Sequence, residues 1–380
     1  MARLRKVAIA LAWGAVFVGL ISGCSLQKPL PEPQFEANID VELVSGGWPV
    51  GKLQTGLALD PHYHDGIIYL ADGRGWLKAL DAEDGAQIWH RRMARPLSAG
   101  PVVVDGKLLV ADRKGGFYAL NKSDGEQLWA AELNGEVLAA PRLARDVVIA
   151  RVGSGRVYGL DAESGERLWV FDRSVPPLTL RQRSAPAVAG GSVVVGLEDG
   201  RLVALDSSDG TVTWEYTLAE PRGRTELERM RDVAADPVIA SGAVYAAAYQ
   251  GVLARVRMAT GSGEWSRKVS SFRGLLNHGE EIYLAATDGR VWSFDSRNGA
   301  TVWRQDRLEG LTLTRPVAYR GYLVVGDNSG YVNWLRLRDG ELLARTRISS
   351  VPIERPPVVT ANGLVYVFDS RGRMTALRAD

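Results

Sequence analysis

Gly115-Gly116-Phe117-Tyr118-Ala119-Leu120-Asn121-Lys122-Ser123-Asp124-Gly125-Glu126-Gln127-Leu128-Trp129 is the segment from which the architecture can be worked out. Shifted forty residues in either direction, it recurs as residues 75–89 and 155–169. Further copies occupy 200–214, 251–265 and 289–303. A seventh, 330–344, keeps the frame but carries Ala344 in place of Trp, and an eighth begins at Gly372 and meets the end of the chain. This repeat overrides the two average domains that 380 residues would otherwise suggest.

In frame with each copy, an earlier pair of strands can be read. Pro101-Val102-Val103-Val104-Asp105-Gly106-Lys107-Leu108-Leu109-Val110-Ala111 is one apolar strand, a turn and another, and prolines recur in step at Pro61, Pro141, Pro186, Pro237, Pro316 and Pro356-Pro357. Phe117-Tyr118-Ala119-Leu120 reads as a third strand, followed by a tight turn of the Asp84-Gly85, Ser164-Gly165, Thr260-Gly261 or Asn298-Gly299 kind. Glycine there accepts a positive φ and its polar neighbour bonds the turn backbone, which suits a hairpin. The fourth strand carries the Trp. Four short antiparallel strands per repeat of about 40 residues is the pattern of a β-propeller. The recurring Trp is read as packing between blades, and the Gly fourteen residues before it (Gly75, Gly115, Gly155 and their counterparts) as a close backbone approach between blades.

Eight copies give eight blades, of which the last is short: Gly372 requires a further strand, but the chain stops at Asp380. Left so, the ring would present two raw sheet edges. Near the other end, Ile39, Val41 and Leu43 alternate with Asp40 and Glu42, the period-2 signature of a strand. The expected fold is therefore all-β: an eight-bladed propeller of four-stranded antiparallel blades, spanning 38–380 as a single domain, with the last blade closed by the N-terminal strand.

Ahead of the propeller, residues 1–23 have the form of an export signal: Arg3, Arg5 and Lys6, then an apolar run over 7–20, then small residues. The run is short for a membrane span, which needs roughly 20 residues. Ile21-Ser22-Gly23-Cys24 resembles the lipobox of bacterial lipoproteins. That resemblance implies a lipidated Cys24 as the mature N-terminus and, with Ser25 rather than Asp behind it, an anchor on the periplasmic face of the outer membrane. Several acyl chains on one residue hold a membrane stably. Residues 24–37 then form a Pro-rich tether, Lys28-Pro29-Leu30-Pro31-Glu32-Pro33-Gln34 at its centre. Removing 1–23 takes away three basic side chains, leaving 43 Lys+Arg against 44 Asp+Glu, a formal charge of −1 in place of +2. No concentrated basic face remains to support a nucleic-acid partner. Cys24 is the only cysteine, which excludes internal disulfides and cysteine-built metal clusters.

Irregularities in the repeat carry the functional reading. From Trp to the next Pro the gap is 12 or 13 residues, but it is 17 from Trp169 to Pro186 and 23 from Trp214 to Pro237. Both insertions connect an outer strand to the next inner strand, so they share one face of the disc, where a repeat protein binds its partners; tolerated loop growth is the alternative. The first contains Val175-Pro176-Pro177-Leu178-Thr179-Leu180-Arg181. The second, residues 219–232, runs from Ala219 to Asp232 and includes Thr225 and Glu228 at capping-box spacing. An Arg and Leu surface suits a protein interface better than small-molecule chemistry.

Repeats of the Ala-Leu-Asp-x-x-[Ser/Thr/Asp]-Gly-x-x-x-Trp type resemble the blades of pyrroloquinoline-quinone-type eight-bladed propellers. Taken with the lipobox, the length and both loops, the mature chain resembles the BamB family of lipoproteins in outer-membrane β-barrel assembly. The resemblance implies a non-enzymatic scaffold without a cofactor, docked by its inserted loops on the periplasmic domains of BamA within the BAM complex, and assisting folding and insertion of outer-membrane proteins. Unfolded outer-membrane proteins are further candidate partners. The family's Leu-x-Leu-Arg motif falls on Leu178, Leu180 and Arg181, and its Asp-Val-Asp pattern on Asp232 and Val233, with Ala234 in place of the second acid. The rival class on this fold is a quinone-dependent periplasmic dehydrogenase. Such enzymes are longer, with a vicinal cysteine pair and calcium ligands near the axis, whereas Asp81, Asp161, Asp206 and Asp295 occupy one repeated position here. His62 and His64 share a strand face, but no third metal ligand is identifiable beside them.

Overall fold

Eight four-stranded antiparallel sheets follow one another along the chain in the computed structural model, which describes residues 33–49, 57–180 and 184–380. The expected signal segment, Cys24 and the tether through residue 32 lie outside the described residues. In the second blade the strands are Leu97–Val104, Lys107–Asp112, Gly116–Asn121 and Gln127–Glu132, side by side in chain order. Asp105 and Gly106 join the first two with φ of 44° and 75°, a pair of positive values that matches the right-handed twist of the strands they connect. The apolar runs of the second strands are fully buried, as at Leu108, Leu109 and Val110. Outer strands are wetter, with Leu128 half exposed.

The expected role of the repeated Trp holds, and its partner is now identified. Each indole lies over the turn glycine of the following blade, so that a Cβ on Gly125, Gly165, Gly210, Gly261, Gly299 or Gly340 would meet the ring of Trp89, Trp129, Trp169, Trp214, Trp265 or Trp303. Each Nε1 also donates to a carbonyl of that same turn: Trp129 to Ala162 at 3.0 Å, Trp169 to Ser207 at 2.8 Å, Trp303 to Leu337 at 2.7 Å. Across its own sheet the Trp faces a small residue, Ala79, Ala119, Gly159, Ala204 or Ser293, in all but the fifth blade, where Arg255 stands opposite.

The central glycine needs correcting. A Cβ on Gly115 (φ +100°) would collide with the carbonyl of Leu133, and one on Gly330 with that of Ser349. Those carbonyls belong to the segment leaving the fourth strand of the same blade, and the amides of Leu133 and Ile348 bond back to Gly115 and Gly330 at 2.8 and 3.1 Å. The close approach is within a blade, not between blades. Three residues earlier sits an acid that the sequence reading passed over. Buried Asp112 accepts from the amides of Lys114 (2.7 Å) and Gly116 (2.9 Å), and Asp72, Asp327 and Asp369 repeat the arrangement.

Closure is as expected, over a longer strand. Val41–Pro49 pairs antiparallel with Arg373–Ala379, from Val41 opposite Ala379 to Pro49 opposite Arg373, and completes the sheet begun by Val358–Val359 and Val365–Phe368. Since two chain ends make this blade, no hairpin joins its outer two strands, and nothing waits there to receive an indole from blade seven. That blade compensates internally. Opposite Ala344 stands Trp334, fully buried against Tyr319 (ring centroids 5.7 Å apart), so the large and small residues have changed strands. With no turn carbonyl to meet it, the Trp334 Nε1 is buried without a hydrogen-bond acceptor. Ile39 and Val41 pack on the same cluster, and the Asn38 amide donates to Leu343 at 2.9 Å.

Trp129→Ala should destabilise the protein by about 3–5 kcal/mol, the cost of a large aromatic removed from a packed site, read from denaturant unfolding. A second expectation concerns acid. The turn carboxylates of Asp161 and Asp206 are held below their ordinary range chiefly by the hydroxyls of Ser164 and Ser208, and that of Asp295 by the Asn298 amide. Depressed folded values mean that this stabilisation is complete above the unfolded aspartate value of about 3.9 and is lost as pH falls through the lower folded ones. Asn121 natively fills the same turn position, its Oδ1 accepting from the Ser123 amide at 3.0 Å. The triple variant Asp161→Asn, Asp206→Asn, Asp295→Asn should therefore keep the turns and lose less melting temperature than wild type between about pH 5 and pH 2.

Candidate functional site

Both long connections lie where the Trp-to-Pro spacing puts them. One runs from Arg167–Phe171 to Ala187–Ala189, the other from Val212–Thr217 to Val238–Ala240. The second folds on itself first. Its single helical turn, Glu226–Arg229, is capped reciprocally: Thr225 Oγ1 accepts from the Glu228 amide (3.2 Å), and Glu228 Oε2 accepts from the amides of Arg224 (2.7 Å) and Thr225 (3.3 Å). Those amides, Arg224 first, hold the Glu228 carboxyl below its usual range. Arg231 then staples the loop, donating to the carbonyls of Glu228 and Met230 (both 2.8 Å) and of Arg222 (3.2 Å), and to Gln250 Oε1 (3.0 Å). Part of the arginine content that suggested an interface is thus spent on the loop itself. Leu227 is left on the outside, 60% exposed.

Below the tip, two aspartates join the loops. Asp232 is only 2% exposed, and its Oδ1 accepts from the Leu180 amide at 2.9 Å. Asp236 Oδ1 accepts from the Ala185 amide at 2.7 Å. The first loop is therefore clamped by the second at its middle and just before its return to the blade. Under it, Arg151 is 1% exposed; its guanidinium meets Glu198 Oε1 at 2.7 Å, Ser184 Oγ at 2.9 Å and the Ser184 carbonyl at 3.1 Å. This buried pair spans blades three and four and fixes the first loop's return.

Of the residues singled out from sequence, Leu178 is exposed (42%), Leu180 is half-buried, and Arg181 lies outside the described residues. Asp232 is brought to Leu180, but from beneath, as a support for the loop. Ala234 is buried and lines a cavity at the axis together with Asp236. Asp236, Arg151, Ser184 and Glu198 were not anticipated. The signal that could have found two of them is a charge closing an apolar strand run, as Arg151 does after Val147-Val148-Ile149-Ala150 and Glu198 after Val193-Val194-Val195-Gly196-Leu197.

Among the described residues, no group of three His, Cys, Asp or Glu side chains could hold a metal ion. The imidazoles of His62 and His64 stack 6.4 Å apart, and His64 Nε2 lies 2.9 Å from Asp65. Burial, then His64 and Arg142, pull His62 down to about 4, so it is neutral at pH 7.

Comparison with known proteins decides the family. The family model described as outer membrane protein assembly factor BamB matches residues 73–305. The chain belongs to the BamB family. A BamB relative from Alkalilimnicola ehrlichii is 47% identical over 376 residues, covering 98% of this chain and 97% of the relative. Among solved structures, BamB from Moraxella catarrhalis superposes with a TM-score of 0.79 at 26% identity, covering 89% of this chain and all of that one. The quinohemoprotein alcohol dehydrogenase of Comamonas testosteroni also superposes, with a TM-score of 0.69 over 89% of this chain and 76% of the other. At 13% identity, that likeness concerns the fold alone.

Within this BamB fold, the Asp232 carboxylate has a measurable part. Asp232→Ala should cost about 1–3 kcal/mol by removing the carboxylate that accepts from the half-buried Leu180 amide, and should speed hydrogen exchange at Leu180 and Ala185 before the blades respond. Asp232→Asn, which keeps an acceptor oxygen, should cost less in both measurements.

Proposed function

We propose that this chain is a non-enzymatic scaffold subunit of the outer-membrane β-barrel assembly complex, which docks on the periplasmic domains of BamA and assists folding and insertion of outer-membrane proteins. In this reading residues 1–23 are a signal peptide, lipid on Cys24 anchors the chain to the periplasmic face of the outer membrane, and 24–37 tethers the propeller of 38–380. Leu178, Leu180 and Arg181 form the contact surface, and Asp232 acts from below by fixing its shape. Membership of the BamB family supports the class of role. The observation that carries the site is the joining of two enlarged inter-blade connections on one face by the Leu180–Asp232 and Ala185–Asp236 hydrogen bonds.

Such a preorganised loop presents its apolar side chains without first having to order them, which favours affinity. Co-purification with BamA tests the reading. Leu178→Ala, Leu180→Ala and Arg181→Ala should each weaken capture by about 1–2 kcal/mol, roughly a factor of ten, and together should abolish it, with the thermal melt of the propeller unchanged. Undiminished capture by the triple variant would defeat the site assignment.

A further inference from the structure

Each blade receives the chain at its inner strand, and the residues just ahead of those strands meet at the axis. There they enclose a cavity of about 170 Å³, with an adjoining lobe of about 120 Å³ that shares Asp60, Asp236 and Arg315 with it. Four guanidiniums line this space: Arg142, Arg273, Arg315 and Arg355. Facing them are the carboxylates of Asp60, Asp236 and Glu354, so among the described residues the site holds one positive charge in excess.

The pairing is also loose. Arg355 and Asp60 meet at 2.8 Å, but Asp236 stands 3.9 Å from Arg142 and 4.0 Å from Arg315, and its Oδ1 is already committed to the Ala185 amide. Arg273 Nε is buried with no hydrogen-bond partner. Burial pulls both Arg142 and Arg273 below the usual guanidinium range, the sign of cations removed from water without full compensation. His62, neutral at pH 7, adds no charge of its own. A cation cluster partly withdrawn from water in this way, with Arg142 and Arg315 still 31% and 39% exposed, gains from a matching anion that supplies charge-assisted hydrogen bonds.

We infer that the axial cavity is a binding site for a small oxyanion, phosphate or carboxylate, held by Arg142, Arg273 and Arg315. Nothing in the scaffold role requires it, and it stands whether or not the loop surface binds BamA. The anion arrives either free or as an acidic side chain of a polypeptide entering from the face that carries the loops.

Calorimetric titration and thermal melts of the full chain in detergent, at low ionic strength, test this. Sodium phosphate should bind saturably and raise the melting temperature, while sodium chloride at matched ionic strength should not. In Arg315→Gln, binding should weaken by about tenfold or more. Its melting temperature without phosphate should equal or exceed that of wild type, because the charge excess is relieved. A short peptide containing Glu, with a Gln version as control, identifies the source: saturation by phosphate alone marks a free ion, and selective saturation by the Glu peptide marks a polypeptide carboxylate. The inference is overturned if neither titrant saturates, if Arg315→Gln and Arg142→Gln bind as wild type does, or if Arg315→Gln melts lower in anion-free buffer.

Discussion

Between neighbouring blades an indole lies over a glycine turn and gives its one hydrogen to a carbonyl of that turn. This contact sets the size of the residue on both sides. The turn must be glycine because a Cβ would occupy the space of the ring, and the strand beside the Trp is mostly small for the same reason. It also explains why blade seven lacks the indole. The ring joins its own chain ends in blade eight, where no hairpin is available to receive an indole, so blade seven has Ala344 and moves the bulk to Trp334. The absent Trp is therefore a consequence of closure, not a decayed repeat.

Much of this was legible in the chain because it is periodic. Strands, turns, blade number and the need for a closing strand each leave a mark at every repeat, and the alternation of Ile39, Val41 and Leu43 pointed to where the last strand lies. The central glycine was assigned to the wrong contact because spacing shows that a close approach exists and not which backbone approaches. Gly115 meets Leu133, only eighteen residues on, and no pattern distinguishes that from a neighbour one blade away.

The loops were legible as insertions and opaque in detail. Leu178 could be picked out as an apolar residue in a turn-rich connection, and it is exposed. Burial of Asp232 could not be read, because an aspartate below a loop and one on its surface look alike in sequence. Their difference lies in partners from distant positions: Leu180 for Asp232, Ala185 for Asp236, and Arg151 for Glu198. Isolated buried charges would be untenable, and a closely paired one tolerates little movement. Stiffness at the base and exposure at the tip are thus two results of the same arrangement.

Pairing of Val41 with Ala379 brings nearly the whole length of the chain between two hydrogen-bonded neighbours. Seven blades can assemble from contacts local in sequence, each resting on the one made before it, while the eighth cannot exist until the last residues are present. Ring closure is consequently a checkpoint on completeness. A chain truncated at its C-terminus would keep most of its blades yet leave both terminal edges open, exposing unpaired strand backbone of the kind that aggregates.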